Sequence, residues 1–124
     1  MANEFTGRRT VKADITFVDA ASTFTTGIKI PAGALIQGIY WEGLGAATVT
    51  GASATVQPKL SGASTKNLCA AAVMSALPAQ TVAASTAASS IRVTETGELV
   101  VFQQASSNAA ATKRVALYVD YIYI

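Results

Sequence analysis

The chain has 124 residues, room for one compact domain, with 51% hydrophobic and only 13% charged residues and a net charge of +2. Soluble domains average about 25% charge, so little charge has to be desolvated when this surface meets a neighbour. The basic residues are scattered, apart from Arg8-Arg9 and Lys113-Arg114, which argues against a nucleic-acid partner, since that needs a dense basic patch interleaved with aromatics.

Residues 1 to 7 are polar except for Phe5 and lack any alternation. They are expected to form an N-terminal arm, with residues 8–124 as the folded domain. The arm has no apolar stretch of the secretory kind. From Thr10 to Val18, Val11, Ala13, Ile15 and Phe17 alternate with Lys12, Asp14 and Thr16. A period of two predicts a half-buried strand. Asp19 to Thr26 is small and polar and reads as a loop. Gly27 to Ile30 is a short strand, and Pro31-Ala32-Gly33 a tight turn, with Pro fixing φ and Gly free to take a positive one.

Ala34 to Glu42, with Leu35, Ile36, Ile39, Tyr40 and Trp41, is the strongest strand of the first half. Ala46 to Leu60 predicts one or two strands, with a bulge near Gly51 and with Pro58 close to a sheet edge. Residues 67–77 are open between one short helix, favoured by Ala, Leu and Met, and an irregular covering loop. Thr81 to Ser90 is a loop or weak strand. Ile91 to Thr94 and Glu98 to Gln103 read as a hairpin joined through Thr96-Gly97. Lys113 to Ile124 is the closing strand, with Val115, Leu117, Val119 and Tyr121 on its core face. Short strands joined by Gly- and Ser-rich turns predict an all-β domain, a β-sandwich or jelly roll.

Chemistry finds few anchors. Histidine is absent, which removes the commonest general base and metal ligand. Cys69 is the sole cysteine, so no intrachain disulfide forms, as suits a reducing compartment. A solitary Cys without His reads as a small buried hydrophobe. The seven acids are scattered, and Glu95 and Glu98 flank a turn. Gly43-Leu44-Gly45 has neither the spacing nor the Lys of a phosphate loop. The expectation is a non-enzyme with no catalytic, cofactor or metal site. No apolar run approaches the roughly 20 residues that cross a bilayer, so no membrane partner is expected.

The candidate residues are therefore contact residues. Phe5 is an apolar ring on a polar arm, suited to docking in a neighbouring subunit. Arg8 and Arg9 read as a solvated strand start or as partners for an acidic surface. Trp41 reads as a core residue at a strand end or as an interface anchor. Tyr118, Ile122 and Ile124 make the second face of the closing strand too apolar for open solvent, which predicts cover by another subunit, with a homotrimer as the expected symmetry.

Thr26-Gly27-Ile28-Lys29-Ile30-Pro31-Ala32-Gly33-Ala34-Leu35-Ile36-Gln37-Gly38-Ile39-Tyr40 resembles a segment of small structural proteins of tailed bacteriophages, as does the closing run Val115 to Ile122. Within that group the chain is most similar to capsid decoration, or cement, proteins. The resemblance implies a virion protein, assembled in the host cytoplasm, that binds the major capsid protein and stabilises the head. A tail, neck or fibre component is the alternative address. A carbohydrate-binding module is the alternative of another class, with Trp41 and Tyr40 as its aromatic platform.

Overall fold

The computed structural model describes residues 9–17, 22–44, 55–62, 65–69, 71–73, 82–84, 91–104 and 114–123. They form ten strands: β1 (Arg9–Thr16), β2 (Ser22–Ile30), β3 (Ala34–Gly43), β4 (Thr55–Ser61), β5 (Lys66–Asn67), β6 (Ala72–Val73), β7 (Val82–Ala84), β8 (Ile91–Arg92), β9 (Gly97–Gln103) and β10 (Arg114–Tyr123). The first sheet runs β1-β10-β3-β7, with β8 also on β3; the second runs β2-β9-β4-β5, with β6 also on β4. Every pairing between strands is antiparallel. The fold is an all-β sandwich, as the strand spacing predicts.

Alternation explains the core. Ala13 and Ile15 of β1, and Val115, Leu117, Val119 and Tyr121 of β10, turn inward and are buried. Facing them from the second sheet are Ile30, Val56, Leu60, Leu99 and Val101. Phe17, just past β1, packs edge-on against Phe24 of β2 at 6.0 Å, tying the two sheets along one margin.

Two irregularities keep the alternation in phase. Asp120 of β10 pairs with Gly38 but the next residue, Tyr121, pairs with Ile36. Gln37 is thus an extra residue on β3, a bulge. Ala34 and Ile36 before it, and Ile39 and Trp41 after it, all end up buried. On β2, three residues lie between the paired Thr25 and Lys29, against one between their partners Val100 and Glu98 on β9. The excess of two leaves the faces unchanged. Gly27 takes φ 75 there, and its N–H donates to the Glu98 carboxylate at 3.0 Å. The Thr26 hydroxyl donates to the Leu99 carbonyl at 2.6 Å and accepts from the Ile28 N–H at 3.1 Å.

The chain crosses between sheets twice at one end of the sandwich. At the Pro31-Ala32-Gly33 turn, Gly33 has φ 93 and the Ala34 N–H donates to the Pro31 carbonyl at 3.2 Å. This turn carries β2 into β3 and so from the second sheet to the first. Residues 93–96 make the return passage. The two are stitched together: Gly33 N–H to the Val93 carbonyl and Val93 N–H to the Ala34 carbonyl, both 2.8 Å, and Ala32 N–H to the Thr96 hydroxyl at 3.1 Å.

Several expectations are corrected. Residues 91–103 are not a hairpin, because β8 pairs with β3 and β9 with β2 and β4. Gly97 is buried against Leu60 and Ser61, where a Cβ would lie 3.1 Å from the Ser61 carbonyl oxygen; it serves close approach, not a turn tip. The supposed loop from Asp19 to Thr26 is strand from Ser22 onward, since β-branched Thr23 and Thr25 suit the exposed face of an edge strand. The described residues within 67–77 hold strand β6 and the end of β5, and no helix. Pro58 sits within β4, in the gap between β5 and β6, where its missing N–H costs no ladder bond and its carbonyl accepts from Leu68. Within Thr81 to Ser90, read as loop or weak strand, Val82 to Ala84 is the short strand β7, in line with the second alternative. The bulge near Gly51 lies outside the described residues.

Leu117 pairs with Ala13 on one side and Trp41 on the other and is fully buried. Leu117→Ala is expected to cost about 2–5 kcal/mol. Gly27→Ala meets open space but a left-handed backbone, so about 1–2 kcal/mol is expected from conformation alone. Urea unfolding of the two variants checks both values.

Candidate interaction surfaces

Because the inner faces are filled, function falls to the outer ones. The outer face of the first sheet carries Lys12 and Asp14 from β1, Tyr118, Asp120 and Ile122 from β10, and Leu35, Tyr40 and Glu42 from β3. Tyr118 is its centre. Its hydroxyl donates to the Glu42 carboxylate at 2.5 Å, and the Lys12 ammonium lies 5.8 Å from the ring centroid. Lys12 also approaches Asp14 at 3.8 Å, and the Thr10 hydroxyl donates to Asp120. Tyr40 folds its ring over Gly38, where a Cβ would meet it at 3.0 Å. The hydrogen bond to Glu42 raises the Tyr118 phenol above its ordinary 10.0, followed by desolvation and the nearby charges of Glu42 and Asp14.

The outer face of the second sheet is of another character. Thr23 and Thr25 of β2, Glu98, Val100 and Phe102 of β9, and Lys59 and Ser61 of β4, with Thr65, line a concavity of about 310 Å³. Phe102 is 40% exposed, the one large apolar side chain so displayed among the described residues. The Lys59 ammonium sits 4.8 Å from its ring centroid, a cation–π contact. Phe102 escapes sequence reading because Leu99 to Phe102 is a continuous apolar run, and nothing local says which member points outward.

The predicted contact residues separate. Tyr118 and Ile122 are half-buried on the first outer face, and Arg9 is exposed at the start of β1. Phe5, Arg8 and Ile124 lie outside the described residues. Trp41 is corrected as an anchor: it points inward, 2% exposed. Its indole N–H has no hydrogen-bond partner among the described residues. Trp41 and Tyr40 cannot form one carbohydrate platform, because neighbours on a strand face opposite ways. Among the described residues, no group of three or more His, Cys, Asp or Glu side chains is arranged to hold a metal ion. Cys69 is buried, and its carbonyl accepts from the Gln57 amide at 2.9 Å.

No family model matches the chain, and no curated protein does. Solved structures do. A chain in the acidic stable capsid of Helicobacter pylori bacteriophage KHP30 superposes with TM-score 0.69 at 17% identity, over 93% of this chain and 86% of that one. A chain in the capsid asymmetric unit of cyanophage Pam1 gives 0.71 at 17%, over 94% and 85%. One in the capsid of Ralstonia phage GP4 gives 0.67 at 18%, over 95% and 85%. This sandwich is therefore a fold found in phage capsids, matched along nearly its whole length.

In alkaline titration followed by tyrosine NMR, Tyr118 is expected to ionise above 10.0, and Glu42→Gln to bring it down toward that value. A raised folded value stabilises below the ordinary phenol value and is lost as pH rises through the raised one. The alkaline loss of stability should therefore be shallower in Glu42→Gln.

Proposed function

We propose that the protein is a structural, non-catalytic component of a bacteriophage virion that binds the assembled head and stabilises it as a cement protein. The observation that carries this reading is the likeness to chains of three phage capsids over more than nine-tenths of the sequence. The surface chemistry sets terms for the partner. On the first outer face Lys12 pairs with Asp14, while Glu42 and Asp120 stay anionic and accept only hydroxyl hydrogen bonds among the described residues, so a partner that covers this face meets those two carboxylates with cations or further donors. A protein that binds the assembled shell more tightly than free subunits stabilises it by mass action.

The partner in this reading is the major capsid protein, the cement copies form a homo-oligomer of three, and the site of action is the virion. The outer faces, together with Phe5, Arg8, Arg9 and Ile124, supply the contacts. Residues 1 to 7 act as an arm in assembly.

Purified particles stripped of this protein are expected to lose heat resistance and to regain it when the protein is added back. Particles that keep full resistance would refute the cement role, and immunogold label confined to tails would place the protein there instead. A chain lacking residues 1–7 should fold with an unchanged melting temperature and bind stripped particles about ten-fold more weakly, as the loss of one buried aromatic anchor implies.

A further inference from the structure

The groove on the second sheet has a defined chemical demand. Its floor is Val100, 6% exposed, and the ring of Phe102. At one end stands Lys59, with which no carboxylate pairs among the described residues; Glu98, at the other, is bonded to the Gly27 N–H and faces the opening. An occupant that fits presents a carboxylate beside an apolar ring and a cation some residues further on. The sequence places an acid directly beside an aromatic three times: Glu4-Phe5, Trp41-Glu42 and Asp120-Tyr121. In the last two the ring is locked in the core. Glu4-Phe5 lies outside the described residues and is followed in sequence by Arg8.

The spacing agrees as well. Arg8 is three residues beyond Phe5, about 10 Å in an extended chain. Glu98 is four residues from Phe102 along β9, about 13 Å. Extended in the groove, the segment sets Glu4 at Lys59 and Phe5 on Val100 and the ring surface that Lys59 leaves open, with Arg8 toward the Glu98 end.

The chain's own arm does not reach. Phe17 packs on Phe24, whose neighbour Thr23 pairs with Phe102. Arg9 is eight residues from Phe17 along β1, about 26 Å away, whereas Phe5 lies within about 13 Å of Arg9. We infer that the Lys59–Phe102 groove receives the Glu4-Phe5 arm of a second copy of this chain. Arm into groove is a head-to-tail contact, which forms a ring where its rotation closes and a filament where it does not. The inference rests on the proposed virion role for the setting in which copies meet, but the contact belongs to the chain itself.

Sedimentation velocity on the purified full chain tests it. Glu4→Lys and Lys59→Glu are each expected to weaken self-association about ten-fold, and the double variant to restore it, as reversal of a charge pair does. Phe5→Ser and Phe102→Ser should each weaken it, with no further loss when combined; melting temperatures report that the variants fold. A chain that stays monomeric into the millimolar range, a double charge variant that is not restored, or Phe102→Ser associating normally would overturn the inference. If Phe102→Ser loses binding to stripped particles while Phe5→Ser does not, the groove serves another protein and the inference also falls. Occupancy of the unmodified protein on particles, measured separately, reads the virion role independently.

Discussion

The ladder between β3 and β10 is the constraint from which the rest of this fold follows. β10 lies between β1 and β3, so its register fixes both neighbours at once. Side chains alternate strictly along a strand, and a slip of one residue would exchange the faces of the whole element. The extra residue at Gln37 lets β3 bend without losing the pairing, and it delivers Ala34, Ile36, Ile39 and Trp41 to the same core. An intact inner face in turn allows the second sheet to pack from Ile30 to Val101.

The second tie is at the crossovers. A sandwich of two sheets needs the chain to leave one and enter the other, and each passage exposes backbone groups that no ladder satisfies. Here the two passages satisfy each other. Gly33 and Ala34 on one exchange hydrogen bonds with Val93 on the other, and Ala32 reaches Thr96. The Pro31-Ala32-Gly33 segment is thus the corner of the sandwich, and its glycine meets the positive φ that the turn imposes.

The outer faces divide the work of a surface. On the first, Tyr118, Glu42, Lys12, Asp14, Thr10 and Asp120 answer one another's polar demands. Glu42 and Asp120 nonetheless keep their charge, so an uncharged cover on this face would cost their desolvation. On the second, Phe102 and Lys59 leave an aromatic ring and a cation available. A chain with only 13% charged residues has few ways to choose a partner, and this pair concentrates them in one groove.

The sequence by itself determined the fold class and much of the core. Val115, Leu117, Val119 and Tyr121, and Ala13, Ile15 and Phe17, were legible because alternation is local and each buried residue announces its face by its neighbours. The same logic identified the Pro31–Gly33 turn. What only the tertiary structure decided is which strands share a sheet. Residues 91–103 have the local form of a hairpin, yet β8 and β9 part to opposite sheets, because pairing partners are chosen by long-range burial that local pattern does not encode. The direction of Trp41 and of Phe102 has the same origin. Both are aromatic and both lie on strong strands; the sequence left Trp41 open between core residue and interface anchor and did not single out Phe102. Strand register placed Trp41 between Leu117 and Ala83, inside, and left Phe102 outside beside Lys59. Which aromatic of the described surface stands exposed was therefore chosen by register and not by residue type.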